Sequence, residues 1–108
     1  VFEVVASFPV TIQIVGGNGQ TGPAGAPLMT APRVRVTDRY GNIVVGAGVR
    51  WAVVSEGGGS VSYATSVTNA LGEATTNWTI ALGSNNLRAY LLEGSLQYAT
   101  FAANGIAP

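Results

Sequence analysis

The chain has 108 residues, enough for a single domain with one hydrophobic core. It contains neither Cys nor His, which excludes disulfides, thiolate or imidazole metal sites and the usual catalytic triads. Five Arg and five acidic residues make up 9% of the sequence and leave no net charge, so the clustered cations that a nucleic-acid-binding protein needs are missing.

The first half of the chain contains three predicted strands, because apolar and polar residues alternate there as they do in half-buried β-strands. Strand A covers residues 10–15, strand B residues 33–38 and strand C residues 48–55. Residues 16–27, between A and B, are rich in Gly and Pro, so we expect a crossing loop that does not join a ladder. Trp51, in the middle of strand C, is expected to fill the core.

The second half contains four further predicted strands: D at residues 61–64, E at 74–82, F at 86–92 and G at 97–103. Alternation places Trp78 of strand E and Phe101 of strand G on the inward face, and Trp78 is expected to lie beneath Trp51 from the opposite sheet. Seven short strands with no sustained helical periodicity predict an all-β, two-sheet sandwich with Greek-key connections.

An additional strand-like segment, residues 1–8, precedes the domain predicted for residues 9–108. A seven-strand sandwich has no place for it, and an exposed apolar strand is an aggregation hazard, so we expect something to cover it. The residues expected to make that contact are its apolar ones, Phe2, Val4, Val5 and Phe8.

The beginning and the end of the chain are similar to each other. Phe2 and Pro9 are each followed, 99 residues later, by the same residue type, at Phe101 and Pro108. This offset is about the length of one domain, as in a chain built of repeats. Three hypotheses account for residues 1–8: an extra edge strand of the same sheet, the last strand of a preceding repeat, or a strand donated to a neighbouring molecule.

Chemically active groups are scarce in this sequence. Most of the carboxylates fall in predicted turns at different ends of the sandwich, so we expect neither a catalytic pair nor a cofactor. Asp38 with Asn42, and Asn69 with Glu73, offer too few oxygen ligands for calcium and are expected to stabilise their own turns. The apolar runs are far shorter than the roughly 20 residues of a membrane-spanning helix, so no membrane insertion is expected.

An exposed apolar patch is predicted on the outward face of strands F and G, formed by Tyr90, Leu92 and Tyr98, with Tyr40 at one end. Such a patch is more typical of a protein interface than of a sugar platform, which also requires polar partners. Asn77 begins an Asn-Trp-Thr sequon on the outward face of strand E, and this is a glycosylation site only in a glycosylating host.

Several stretches together carry a family resemblance: GQTG at residues 19–22, VRVTD at 34–38 with GN at 41–42, GGGS at 57–60 and GEA at 72–74. With this pattern the chain resembles the bacterial Ig-like domains of group 1, the repeats of the invasin and intimin type. The resemblance implies an immunoglobulin-like sandwich of about seven antiparallel strands. It also implies an extracellular or cell-surface location, tandem repetition and a role as a spacer or adhesive stalk without catalytic residues.

Two functions stay open on the sequence alone. The first is a structural module of a surface fibre or adhesin, whose partners are copies of itself or adjacent Ig-like modules. The second is an accessory module that binds a glycan or a host-surface protein through the face of Tyr90 and Tyr98. Deleting residues 1–8 distinguishes them, since loss of assembly supports the first function and an unchanged monomer favours the second.

Overall fold

The computed structural model describes residues 9–54, 59–92 and 97–107, and all regular secondary structure within them is β-strand. The strands in chain order are β1 (Thr11–Gly16), β2 (Gln20–Pro23), β3 (Arg33–Thr37), β4 (Gly48–Val53), β5 (Ser60–Val61), β6 (Thr65–Val67), β7 (Glu73–Thr75), β8 (Trp78–Thr79), β9 (Gly83–Leu91) and β10 (Tyr98–Ile106). They form a three-stranded sheet in the order β1-β3-β7, a five-stranded sheet in the order β2-β10-β9-β4-β6, and a two-stranded sheet of β5 and β8.

The three sheets share one buried cluster of apolar side chains, to which every strand except β2 and β6 contributes. Alternation along the strands produces this cluster, because every second residue of β9 and β10 is buried while the residues between them are more exposed. The apolar side chains that β9 and β10 bury are Leu87, Ala89, Leu91, Ala99, Phe101 and Ala103. The all-β sandwich that the sequence predicts is therefore confirmed.

Large aromatic side chains occupy the centre of this core. Trp51, Trp78 and Phe101 are each at most 2% exposed. The ring of Trp51 packs against Phe101 of its own sheet, with the ring centroids 5.8 Å apart. Ala89 and Ala99 follow Trp51 in the same cross-strand row on β9 and β10. Because their side chains are small, the indole has room to reach Phe101 on β10.

The segment between β1 and β3 joins a sheet, which corrects the prediction of a loop throughout residues 16–27. Its strand β2 runs parallel to β10, with a register that begins at Gln20 and Ala103 and ends at Pro23 and Ile106. The remaining strand pairs of the described sheets are antiparallel. A proline is tolerated here because β2 is an edge strand, paired on one side.

Strand E, predicted as one run over residues 74–82, is divided between two sheets, since β7 pairs with β3 and β8 pairs with β5. The break falls at the buried Thr76, whose hydroxyl donates to the carbonyl of Tyr63 at 2.9 Å and accepts its amide at 3.1 Å. Of predicted strand D, residues 61–64, only Val61 lies in a strand, because β5 ends there and β6 begins at Thr65. The two short strands belong to different sheets, since β5 pairs with β8 and β6 with β4.

Candidate functional site

The chain enters and leaves the sandwich at opposite ends. At the N-terminal pole the amide of Val10 donates to the carbonyl of Thr37 at 2.9 Å, beside the turn that joins β3 to β4. Since β4, β9 and β10 are successive antiparallel neighbours, β10 begins at this pole and runs away from it. Its nine residues span about 30 Å and end at Ile106, three residues beyond predicted strand G, at the C-terminal pole.

Within the described residues, the N-terminal pole contains two turns, and a side chain caps each of them. In the β3–β4 turn, Asp38 Oδ1 accepts hydrogen bonds from the amides two and four residues further on, both at 2.9 Å. In the β6–β7 turn, Asn69 Oδ1 accepts the amides of Leu71 and Glu73 at 2.8 and 3.1 Å. Both residues therefore stabilise their own turns, as the sequence predicts.

Thr68 ties these two turns together. Its side chain is buried, and Oγ1 donates to the carbonyl of Val44 at 2.5 Å and accepts the amide of Ala47 at 2.8 Å. Its backbone carbonyl accepts the amide of Gly46 at 2.9 Å. A buried threonine with these partners fixes the position of one turn relative to the other, so the surface of the pole is preorganised.

Replacing Thr68 with Val is expected to lower the free energy of unfolding by about 2 kcal/mol, because Val keeps the volume but leaves the buried amide of Ala47 without its partner. Urea unfolding followed by tryptophan fluorescence measures this loss. Thr65→Val in β6 is the matched control, since Thr65 is exposed and its replacement is expected to change stability by under about 0.5 kcal/mol. Equal losses in the two variants would contradict the role given to Thr68.

Apolar side chains project from the turns of the N-terminal pole. Ile43, Val45 and Leu71 are 46%, 58% and 62% exposed, and we call these three residues the N-terminal cap. Ile43 lies against Gly72, because a Cβ atom placed on Gly72 would be 2.7 Å from Cβ of Ile43, so the two turns touch. Exposed apolar side chains grouped at one end of a domain are typical of an interface.

At the C-terminal pole, the buried Asn85 has the corresponding role. Its Nδ2 donates to the carbonyls of Ala81 and Gly83 at 2.8 and 2.9 Å, and its Oδ1 accepts the amide of Ala81 at 2.9 Å. The turn that it holds presents Leu82, which is 68% exposed, beside the strand that ends with Ile106, which is 49% exposed. We call Leu82 and Ile106 the C-terminal cap.

The outer face of the five-stranded sheet carries a row of Tyr and Arg residues. Arg50, Tyr90 and Tyr98 are register neighbours on β4, β9 and β10. The two Tyr rings lie 5.4 Å apart, and the Arg50 guanidinium lies 5.8 Å from the ring of Tyr90. Arg88 covers Tyr98 at 4.5 Å and donates Nη1 to the hydroxyl of Tyr90 at 3.4 Å. That hydrogen bond raises the pKa of Arg88.

Tyr90, Leu92 and Tyr98 of the predicted apolar patch all lie on strands of this sheet or directly after them. Tyr90 and Tyr98 are in ring contact, and Leu92, which is 51% exposed, covers Gly48 at the start of β4, where its Cδ1 lies 2.7 Å from the position of a Cβ. Tyr40 lies in the β3–β4 turn of the N-terminal pole, and Arg39 donates Nη2 to its hydroxyl at 2.7 Å.

The two Arg residues of this row were not among the predicted site residues. Their position in the sequence contains the signal, because Arg50 and Arg88 alternate with inward residues of strands C and F and so share the outward face with the tyrosines. Asn77 is exposed between β7 and β8. The predicted assembly residues Phe2, Val4, Val5 and Phe8 lie outside the described residues.

Charged side chains also meet on the three-stranded sheet, where Glu73 lies 2.9 Å from Arg35 and 3.6 Å from Arg33. Within residues 9–54, 59–92 and 97–107, no three His, Cys, Asp or Glu residues converge where they could hold a metal ion. The same described ranges contain no helix of the length and apolar character that crossing a membrane requires.

No family model matches the chain, and no curated protein sequence matches it either. Solved structures match it closely in shape at low sequence identity. Domains 4 and 5 of the S-layer protein SbsC have a TM-score of 0.65 at 21% identity, over 92% of this chain and 54% of that one. The D00-D0 domain of intimin has a TM-score of 0.62 at 18% identity, over 96% of this chain and 48% of that one. The fold is that of a bacterial Ig-like domain.

The adhesin InvE of Yersinia pseudotuberculosis gives the same result, with a TM-score of 0.61 at 17% identity over 92% of this chain and 32% of that one. The Ig-like fold of the invasin and intimin type, expected from the sequence motifs, is therefore confirmed. This Ig-like domain spans about half the length of the SbsC and intimin chains that it matches.

Proposed function

We propose that this Ig-like domain is a non-catalytic structural module of an extracellular or cell-surface fibre or adhesin, joined end to end with like modules. The observation that carries the proposal is the path of the chain, which enters at Val10 on one pole and leaves at Ile106 on the other. Modules linked in series along such a path extend into a rod, because each exit lies at the far end from the preceding entrance.

The similar structures support this role by their names, since SbsC is an S-layer protein and InvE is an adhesin. The repeat of Phe and Pro at an offset of 99 residues also supports it, because a chain of such modules repeats at about that period. Residues 1–8 then belong either to the last strand of a preceding module or to a strand exchanged with a neighbouring molecule.

The surface of the module suits an extracellular array. Uncharged polar residues such as Ser84, Asn86, Thr100 and Asn104 follow one another along the outer face of β9 and β10. A chain without net charge has little electrostatic repulsion between copies, which favours association with like modules.

Chains of one, two and three copies test the proposal. The copies are joined so that Pro108 of one serves as Pro9 of the next, and small-angle X-ray scattering gives the maximum dimension of each chain. We expect this dimension to increase by the same amount for each added copy. Copies that pack side by side, with little increase in the maximum dimension, would contradict end-to-end assembly.

Deletion of residues 1–8 from the single copy separates the two forms of assembly. If the intact chain forms oligomers whose size increases with concentration and the chain of residues 9–108 does not, strand exchange is supported. If both stay monomeric, the covalent tandem form is supported. Light scattering coupled to size-exclusion chromatography, together with electron microscopy, provides the measurement.

A binding module for a glycan or host protein is the second candidate, and the paired rings of Tyr90 and Tyr98 favour it. Tyr98 is 48% exposed, and the guanidinium of Arg88, 4.5 Å from its ring, could meet polar ligand groups. A glycan array probed with the single copy tests this function, with Tyr98→Ser as the variant and Tyr63→Ser, exposed on another surface, as the control. Binding that only the Tyr98 variant loses would establish the alternative.

A further inference from the structure

We infer that successive copies of this module contact each other directly through their poles, with the C-terminal cap of one copy packed on the N-terminal cap of the next. Leu82 and Ile106 form one side of this contact, and Ile43, Val45 and Leu71 form the other. The inference rests on the proposed function and adds to it the two surfaces at which modules meet.

The buried positions of β10 correspond to apolar residues 99 positions earlier, near the beginning of the chain. Buried and exposed residues alternate from Phe101 to Ile106. Shifted back by 99 residues, the buried positions Phe101 and Ala103 fall on Phe2 and Val4, which are both apolar. The offset also aligns Pro108 with Pro9, which is buried at the N-terminal pole. The sequence before Pro9 therefore has the pattern of a β10 strand that leads directly into this module.

The same alignment fixes the length of the link between copies. Ile106 is the last residue of β10, and only Ala107 and Pro108 separate it from the residue that corresponds to Val10. Three peptide units reach at most about 11 Å. The module is 21 by 19 Å in its two smaller dimensions, so a link of this length brings the end surfaces against each other.

Both surfaces present apolar side chains that a contact would remove from water. Residues 19–30, 78–86 and 103–107, which are the described residues toward the C-terminal pole in this part of the fold, contain no charged residue. Leu82 lies close to the end of β10, since its Cα is 3.3 Å from the Cβ position of Gly105, the residue before Ile106. On the facing side, the N-terminal cap presents three apolar side chains that are about half exposed or more. Burying such side chains against each other is favourable in proportion to the area removed from water.

Both surfaces are already ordered in a single copy, before the contact forms. Thr68 fixes the turns that carry the N-terminal cap, and Asn85 fixes the turn that carries Leu82. Because these turns are already held within a single copy, the contact loses little conformational entropy. The contact joins two different surfaces, the C-terminal cap of one copy and the N-terminal cap of the next, so it is heterologous. A contact of this kind repeats from copy to copy without closing.

A two-copy chain provides a test in which each substitution is its own control. Leu71→Arg in the second copy faces the junction, whereas the same Leu71→Arg in the first copy faces solvent at the free end. For Leu82→Arg the positions are reversed: in the first copy the substituted residue faces the junction, and in the second copy it faces solvent at the free end. The paired variants have the same composition and the same effect on the folding of their own module, so they differ only in the contact.

We expect each junction variant to unfold at a temperature at least about 3 °C below that of its free-end partner, as measured by circular dichroism. Scattering should also show a wider range of angles between the two copies in the junction variants. Equal unfolding temperatures and equal angle distributions within each pair would overturn the inference. If only this inference fails, the maximum dimension of the one-, two- and three-copy chains still increases by the same amount per copy. Side-by-side packing in those chains would instead contradict the proposed function.

Discussion

Replacing Trp78 with Ala is expected to lower the free energy of unfolding by about 3–5 kcal/mol, a large share of the about 5–15 kcal/mol that stabilises a domain of this size. Trp78 is 0% exposed, so its removal leaves a cavity as well as losing the transfer free energy of the indole. It lies at the place where the chain passes between the two-stranded sheet and the three-stranded sheet. Chemical denaturation followed by far-ultraviolet circular dichroism measures the change.

Tyr63→Ala is the matched control for this loss. Tyr63 is also aromatic, and its backbone pairs with Thr76, two residues before Trp78, but its side chain is 61% exposed. Its truncation is expected to cost under about 0.5 kcal/mol. A loss of similar size in both variants would show that Trp78 does not occupy the packed core described above.

Gly105→Ala is the second substitution expected to have a large effect, about 3 kcal/mol or more of lost stability. A Cβ at this position would lie 1.9 Å from the carbonyl oxygen of Ala81, which belongs to the backbone and cannot rotate away. Either the end of β10 or the turn held by Asn85 must move to accommodate one methyl group. Thermal unfolding gives the loss, and amide exchange shows which of the two elements has moved.

Gly22→Ala controls for the general effect of adding a methyl group to a strand glycine. Gly22 of β2 is the register partner of Gly105, yet the nearest atom to its Cβ position is Cδ2 of Leu28 at 3.7 Å, an ordinary contact. Neither glycine has a positive φ, so backbone strain does not separate the two. The Gly22 variant is expected to be unchanged or more stable by up to about 1 kcal/mol, and destabilisation equal to that of Gly105→Ala would contradict the close packing at Ala81.

Side-chain direction is the part of the fold that the sequence predicts well. In strands the period of two is local, so the inward positions of β9 and β10 are readable without any knowledge of their partners. Trp51, Trp78 and Phe101 all occupy positions that alternation marks as inward, and all are buried. The turn roles of Asp38 and Asn69 are local in the same sense, because each side chain bonds to amides of its own turn.

Strand pairing is the part that the sequence does not determine, because short segments take their partners from distant residues. β2 is too rich in Gly and Pro to be recognised locally, and its pairing depends on the free edge of β10. The division of strand E at Thr76 depends on a bond to Tyr63, thirteen residues earlier.

The polar residues that hold the poles were also missed, for a related reason. Thr68 and Asn85 look like surface residues in the sequence. Only the folded chain shows that both side chains are buried and hydrogen-bonded to backbone groups of the turns.

The parallel pairing of β2 with β10 determines how the module responds to a pulling force applied through both ends of the chain. Tension at the C-terminus draws β10 in one direction, while tension at the N-terminus draws β2, through β1, in the other. The hydrogen bonds between the two strands, whose register begins at Gln20 and Ala103 and ends at Pro23 and Ile106, lie across this direction, so they are loaded in shear and together. Bonds that are loaded together in this way resist separation of β2 from β10 more than bonds that would be loaded one after another.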